Sequence, residues 1–356
     1  MGLARKVDVA LEHSGAHNPA MNAVLQPQRR VPDWQVALTA SFTRPAELLE
    51  FLELPADLTG LRLEEVRGFP LRVPRGFAER MQKGNASDPL FLQVWPSADE
   101  EVLNPDFVDD AVGDLKKLKA GGVIHKYHGR VLVIATGACA VNCRYCFRRH
   151  FPYGETRASR NRWRSLLEEL AADATIEEVI LSGGDPLSLA DDKLAELVEG
   201  LDAIPHLKRL RLHTRQPIVL PERVDEEMLD WLASTRLQTA VVLHANHAQE
   251  LDTSVQQALA RLRQAGAVLL NQAVLLKDIN DSLDVQKALA ERLFECGVLP
   301  YYLHLLDRVQ GAAHYEVDEA TGKALLRQLS GHLPGYLIPR LVREEAGKPS
   351  KTWIHW

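Results

Sequence analysis

Cysteine is scarce in this chain: there are four among 356 residues, and three of them fall between positions 139 and 146. That layout cannot staple a fold together with disulfides, and it is how a metal site is written in a reducing compartment. Long apolar runs are missing as well. No stretch approaches the roughly 18 residues that a membrane span needs, and positions 1 to 30 hold no apolar signal core. No membrane partner is therefore expected, and the location is expected to be cytoplasmic. Positive charge is not in excess either. Against 48 Asp and Glu stand 42 Lys and Arg, a formal net charge of −6 with the signs interspersed, so nothing attracts a phosphate backbone and nucleic acid is excluded as a direct partner. Short-period repeats and low-complexity tracts are absent too.

What remains is ordinary globular text, 46% hydrophobic and 25% charged, enough for one large domain plus a smaller one. The polar first thirty residues carry no readable chemistry and are expected to be loosely held. From about Pro32 to Ala120 the pattern is one of amphipathic helices and connectors, as over Ala46 to Leu52 and Phe107 to Leu118, which predicts a mostly helical cap over 1–120. After Gly121, short β-rich runs alternate with helical segments, the signature of a parallel α/β sheet. Strands are expected at Val131–Thr136, Glu178–Ser182, Arg209–Thr214, Thr239–His244, Val268–Val274 and Tyr301–Leu305. Helices are expected at Arg162–Ala172, Asp191–Asp202, Asp225–Ala233, Ser254–Ala265 and Ser282–Cys296. Strands recurring about every 30 residues are βα units. Six are visible where a closed barrel needs eight, so the expected fold is α/β, an open, partial (β/α)6 TIM-like barrel over 121–356 with an N-terminal helical cap. Active sites of such sheets lie at the carboxyl ends of the strands. There the cysteines follow the first strand, Gly183, Gly184 and Asp185 the second, His213 and Arg215 the third, His244 and His247 the fourth, and Asp307 the sixth.

Cys139, Cys143 and Cys146 are spaced CxxxCxxC with Tyr145 before the last. Three thiolates on one short loop can hold three irons of a [4Fe–4S] cubane and leave the fourth iron open for chemistry. Structural zinc is the competing reading, but it wants four closed ligands, and no second cysteine pair is present. Cys296 lies 150 positions on, among apolar residues of a helix, and reads as a core thiol. The loop Ser182, Gly183, Gly184, Asp185 exposes backbone at a strand end and offers an acceptor. Near the C terminus, Lys348 and Lys351 could each be a solvated tail charge.

The cysteine spacing and the Gly-Gly-Asp loop resemble the radical S-adenosylmethionine superfamily. The match extends, in order, through His125 to Arg130, Cys139 to Arg149, Ser182 to Leu187, His213 to Pro217, His244 to His247, Asn271 to Leu276, Pro300 to Tyr302 with Asp307, and Lys351 with Thr352. Over about Gly121 to Lys351 the chain is similar to lysine 2,3-aminomutases, and its short form looks like the bacterial branch that supplies (R)-β-lysine for elongation factor P modification.

That resemblance implies three cofactors: a [4Fe–4S] cluster, S-adenosyl-L-methionine and pyridoxal 5′-phosphate. It implies that Cys139, Cys143 and Cys146 bind iron. Ser182, Gly183, Gly184, Asp185, His213 and His244 would border the S-adenosylmethionine. Lys351, which a threonine follows as in the family, would carry the pyridoxal phosphate covalently, and Lys126, Tyr127 and Arg130 would lie on its phosphate side. For the substrate, L-lysine, it implies that Arg148 takes the carboxylate and that Asp307 with Glu344 grips the distant ammonium. The implied reaction moves the α-amino group from C2 to C3 by radical chemistry, with a low-potential electron donor as partner and a functional link to elongation factor P and its ligase. An aminomutase for arginine or glutamate is the nearest alternative, although Asp307 argues against glutamate. A non-catalytic, metal-stabilised interaction protein is the alternative of a different class.

Overall fold

Alternation along the strands decides how the barrel is built. In a computed structural model that describes residues 31–56, 69–156 and 160–356, nine strands form one sheet in chain order. They are β1 (Val123–Tyr127), β2 (Arg130–Thr136), β3 (Glu178–Gly183), β4 (Arg209–Thr214), β5 (Gln238–Leu243), β6 (Val268–Val274), β7 (Leu299–His304), β8 (Arg340–Arg343) and β9 (Thr352–Trp353). Strands β2 to β8 are parallel neighbours. Antiparallel β1 and β9 form the two edges, so the barrel is open.

One helix of nine or more residues follows each strand from β2 to β7: Arg160–Ala172, Asp191–Asp202, Glu226–Ser234, Thr253–Gln264, Leu283–Glu295 and Glu319–Ser330. This is the expected six-fold βα repeat, and β8 adds one more parallel strand. Aspartates start three of these helices: the carboxylates of Asp225, Asp252 and Asp318 accept first-turn backbone N–H groups that have no partner within the helix.

Successive strand residues face opposite ways. Val131, Val179, Leu181, Leu210, Leu212, Val241, Leu269 and Leu303 point outward and pack with Leu194, Leu197, Leu201, Leu259, Leu262 and Leu326 of the helices in one large core. Each such side chain contributes about 1.5–3 kcal/mol through removal from water. The inward-facing set includes Ser182, Arg211, His213, Gln272, Tyr302 and His304, so the barrel encloses a cavity that carries polar groups on its wall inside an apolar shell.

Asp33 to Trp356 form one compact unit. Within it, the helical text before Gly121 is realised in short pieces, Asp33–Thr39, Pro45–Phe51, Arg75–Ala78 and Pro89–Leu92. Their Trp34, Leu48, Leu49, Phe77 and Phe91 pack with Ala140 and Val141 of the cysteine loop. These helices thereby support that loop from behind. The polar first thirty residues lie outside the described residues.

Two expectations are corrected. The stretch Phe107 to Leu118 is not a helix; only a 3-10 turn at Leu115–Lys117 forms there. Gly113 adopts φ +69°, and the Asp110 carboxylate takes the backbone N–H groups of Asp114 and Leu115 that a helix would have used. The second concerns elements that were not anticipated: β1, the helix Glu319–Ser330, β8 and the two-residue β9. Among the described residues no helix is long and apolar enough to cross a membrane.

Candidate active site

The cysteine loop leaves the end of β2 and lies directly on the loop that ends β3. Gly184 N donates to Thr136 O and Asp185 N to Ala138 O, both at 2.8 Å. The contact is too close for side chains: a Cβ on Gly183 would stand 2.6 Å from Thr136 O, and one on Gly184 2.5 Å from Ala138 O. Gly183 also has φ +115°. The glycines are there because backbone meets backbone.

Cys139, Cys143 and Cys146 line one cavity of about 860 Å³, together with Ser182 to Asp185, Arg148, His213, His244, Asp307, Glu344 and Lys351. The residues expected to carry the chemistry are thus brought together. Cys296 is buried in the outer core, away from them. Among the described residues no three His, Cys, Asp or Glu side chains are arranged to share a single metal ion. Three thiols on one loop at the wall of a cavity are a donor set that fits an iron–sulfur cluster.

Asp185 is less open than its position in the loop suggests. Its carboxylate accepts from Leu187 N, Thr214 Oγ1, Arg215 N and Gln216 N, so the side chain braces the β3 and β4 ends against each other. Arg148 is buried, with Nε donating to Asp114 Oδ2 at 2.8 Å and Nη1 to Ser182 Oγ at 3.2 Å. Asp114 is one of two residues that sequence reasoning missed. It also receives Lys126 Nζ at 2.5 Å. Burial works to raise its carboxyl, but Arg148 and Lys126 prevail and hold it below the usual range.

At the far edge of the sheet, the Arg343 to Thr352 pairing of β8 and β9 sets Glu344 beside Lys351. Lys351 Nζ donates to Glu344 Oε2 at 2.7 Å, and Tyr127 donates its hydroxyl to Oε1. Lys126 Nζ is 3.6 Å away, and the Arg130 guanidinium lies 4.7 Å from the Tyr127 ring centre. Burial alone would raise the Glu344 carboxyl, yet Lys351, the Tyr127 hydroxyl and Lys126 keep it below the ordinary value. Glu344 is here the partner of Lys351, not an acid standing open for an ammonium. Lys348 is exposed, whereas Lys351 reaches the cavity.

Asp307 is the open acid. It has Oδ1 buried without a hydrogen-bond partner, and burial pushes its carboxyl up to about 7 despite the pull of Lys351. His213 and His304 also have Nε2 buried and unpartnered, while His244 Nε2 meets Gln272 Nε2 at 2.9 Å. Burial lowers all three imidazoles, His244 to about 3, so they are neutral at physiological pH. Buried polar atoms are nearly always paired. Three orphaned atoms around one cavity mark a place that polar ligands complete, and the cations Lys126, Arg130, Arg148 and Lys351 suit ligands bearing phosphate and carboxylate. His304 went unread although it was legible: it lies two positions after Tyr302 on β7, on the same face.

Residues 133–283 match the Radical SAM superfamily. Over 323 residues the chain is 47% identical to the L-lysine 2,3-aminomutase of Escherichia coli, spanning 90% of this chain and 94% of that protein. Identity to the enzyme of the same name from Haemophilus influenzae is 45%, over 91% and 96% of the two chains. For Buchnera aphidicola it is 40%, over 91% and 95%. With the thiols and the glycine loop of one cavity inside that near-full-length match, the chain belongs to the L-lysine 2,3-aminomutase family of the radical SAM superfamily.

Proposed function

We propose that the protein converts L-lysine to (R)-β-lysine by moving the α-amino group from C2 to C3, and that the product serves elongation factor P modification. The observation that carries the reading is the placement of a buried arginine, Arg148, and an unpartnered acid, Asp307, in the cavity that Lys351 and the three thiols share. An amino acid with a cationic side chain needs that pair of anchors. The link to elongation factor P rests on resemblance to its bacterial relatives.

In this reading Cys139, Cys143 and Cys146 hold the cluster, and the Ser182 to Asp185 loop with His213 and His244 borders S-adenosylmethionine. Lys351 would anchor pyridoxal phosphate, and Lys126, Tyr127 and Arg130 would hold its phosphate. When bound, the cluster and S-adenosylmethionine supply a hydrogen-abstracting carbon radical, and pyridoxal phosphate supplies a conjugated ring over which an unpaired electron spreads.

The chain's own groups orient and balance charge. Arg148, fixed by Asp114, presents its planar fork to the substrate carboxylate. Asp307 holds a proton part of the time near neutral pH and releases it when an ammonium arrives. Glu344 Oε2 is the nearest acceptor for the proton on Lys351 Nζ. The neutral imidazoles add no competing charge.

Anaerobic reconstitution with iron, sulfide, S-adenosylmethionine, pyridoxal phosphate and a low-potential reductant, followed by chiral mass spectrometry over a panel of amino acids, tests this. (R)-β-Lysine from L-lysine is expected, with arginine and glutamate unchanged. Cofactor-loaded protein that leaves lysine unchanged overturns the reading. Cells lacking the protein should contain elongation factor P without the β-lysyl mass; its persistence removes the link.

A further inference from the structure

We infer that Arg215 raises the reduction potential of the iron–sulfur cluster by donating a hydrogen bond to Cys143 Sγ. The inference rests on the reading of the three thiols as cluster ligands.

Arg215 stands at the end of β4, only 5% exposed, and it joins all the loops around the thiols. Its backbone N–H donates to Asp185 Oδ2 at 2.8 Å. Its Nη1 donates to Cys143 Sγ at 2.8 Å and to the Tyr145 hydroxyl at 2.7 Å. Its Nη2 donates to Gln93 Oε1 at 2.7 Å and to Glu250 Oε2 at 2.9 Å. The planar fork is thereby fixed from both sides. Cys146 is reached by the backbone N–H of Arg148, whereas among the described residues Cys143 is the thiol that takes a donor from a charged side chain.

Reduction adds negative charge that the cluster shares with its thiolates, and an N–H donor on a ligating sulfur stabilises the reduced form. A guanidinium does not lose its proton in proteins, so its charge persists through the redox cycle. Glu250, fully buried, would cancel that charge if it faced the sulfur. It stands instead on the Nη2 side of the fork, where it offsets the charge only in part, and its other oxygen is taken by Asn246 N, His247 N and Gln93 Nε2. Arg215 is a positioning and tuning residue, since it reaches the reacting atoms only through the cluster. A purely structural role, as counter-ion to Glu250 with the sulfur contact incidental, makes different predictions.

Wild-type protein and the variants Arg215→Lys, Arg215→Gln and Glu250→Gln are reconstituted anaerobically, assayed for iron and sulfide, and titrated with electron paramagnetic resonance as the readout. In iron-replete Arg215→Gln the reduction equilibrium should fall at least tenfold, a shift of 59 mV to lower potential for one electron. Arg215→Lys, which keeps charge but loses the fork, should fall between. Glu250→Gln should shift upward, because it removes an anion and keeps the donor. An unchanged potential in iron-replete variants overturns the inference. Iron lost from all three variants while the wild type keeps four per chain also overturns it, because the role is then structural. A wild type that takes up no iron and sulfide refutes the cluster reading itself, and the inference falls with it.

Discussion

Replacing Asp307 with Asn should stabilise the cofactor-free protein in a pH-dependent way. The wild-type carboxyl is buried with Oδ1 unpartnered, and burial moves it from 3.8 to about 7. In the unfolded chain the group has given up its proton by pH 5; in the folded protein it keeps the proton until about pH 7. The folded state therefore binds more protons over this window, and its stability falls as pH rises. At about 1.36 kcal/mol per unit of displacement, the wild type loses about 2–3 kcal/mol relative to the variant between pH 5 and pH 8. The cost of the buried Asn amide, about 1–3 kcal/mol, does not vary with pH and cancels in that difference. Urea unfolding of both proteins at pH 5, 6.5 and 8 measures it. The same change removes the proposed anchor for a substrate ammonium and should weaken lysine binding by about 3 kcal/mol, roughly 100-fold. Parallel stability curves at all three pH values, or a wild type that gains on the variant as pH rises, would show that burial does not raise the Asp307 carboxyl.

Lys351→Ala should abolish the visible absorbance of protein-bound pyridoxal phosphate, while Lys348→Ala, altering an exposed side chain, should leave it intact; the reverse pattern moves the anchor. Arg148→Lys keeps the charge but loses the fork that Asp114 fixes, so KM for lysine should rise about 10-fold to 100-fold at the 1.5–3 kcal/mol of a charge-assisted hydrogen bond, as steady-state kinetics will show. In Gly184→Ala the new methyl meets Ala138 O at 2.5 Å, and iron content after reconstitution should drop because the cysteine loop must move. Cys296→Ser, in the outer core, should retain full iron in the same assay.

The strands were legible because their outward residues are β-branched or leucine in runs bounded by turns, and β4 and β6 match their expected limits residue for residue. Short pieces were not. Arg340–Arg343 and Thr352–Trp353 are too brief to show a period of two, and β9 forms only because β8 is already there to pair with. The helix Glu319–Ser330 had its signal, the Asp318 cap, but no strand was recognised after it. Around the cavity, the cysteines, Arg148, Asp307 and Lys351 could be named from spacing and resemblance. Asp114 could not, since its stretch has helical periodicity and only Gly113 and the Asp110 carboxylate betray the turn that carries it inward. Glu344 was read by type and not by neighbour: its pairing with Lys351 depends on the β8 and β9 register, which local sequence does not encode.

In the proposed reaction one cavity holds a lysine by its two ends while its α-nitrogen moves to the adjacent carbon. L-Lysine labelled with ¹⁵N at the α-amino group alone, given to the anaerobically reconstituted protein, tests it most directly by mass spectrometry and nuclear magnetic resonance of the product. The expected result is β-lysine with the label on C3 and none released as ammonia. Unlabelled β-lysine, labelled ammonia, or unchanged lysine from fully loaded protein would contradict it.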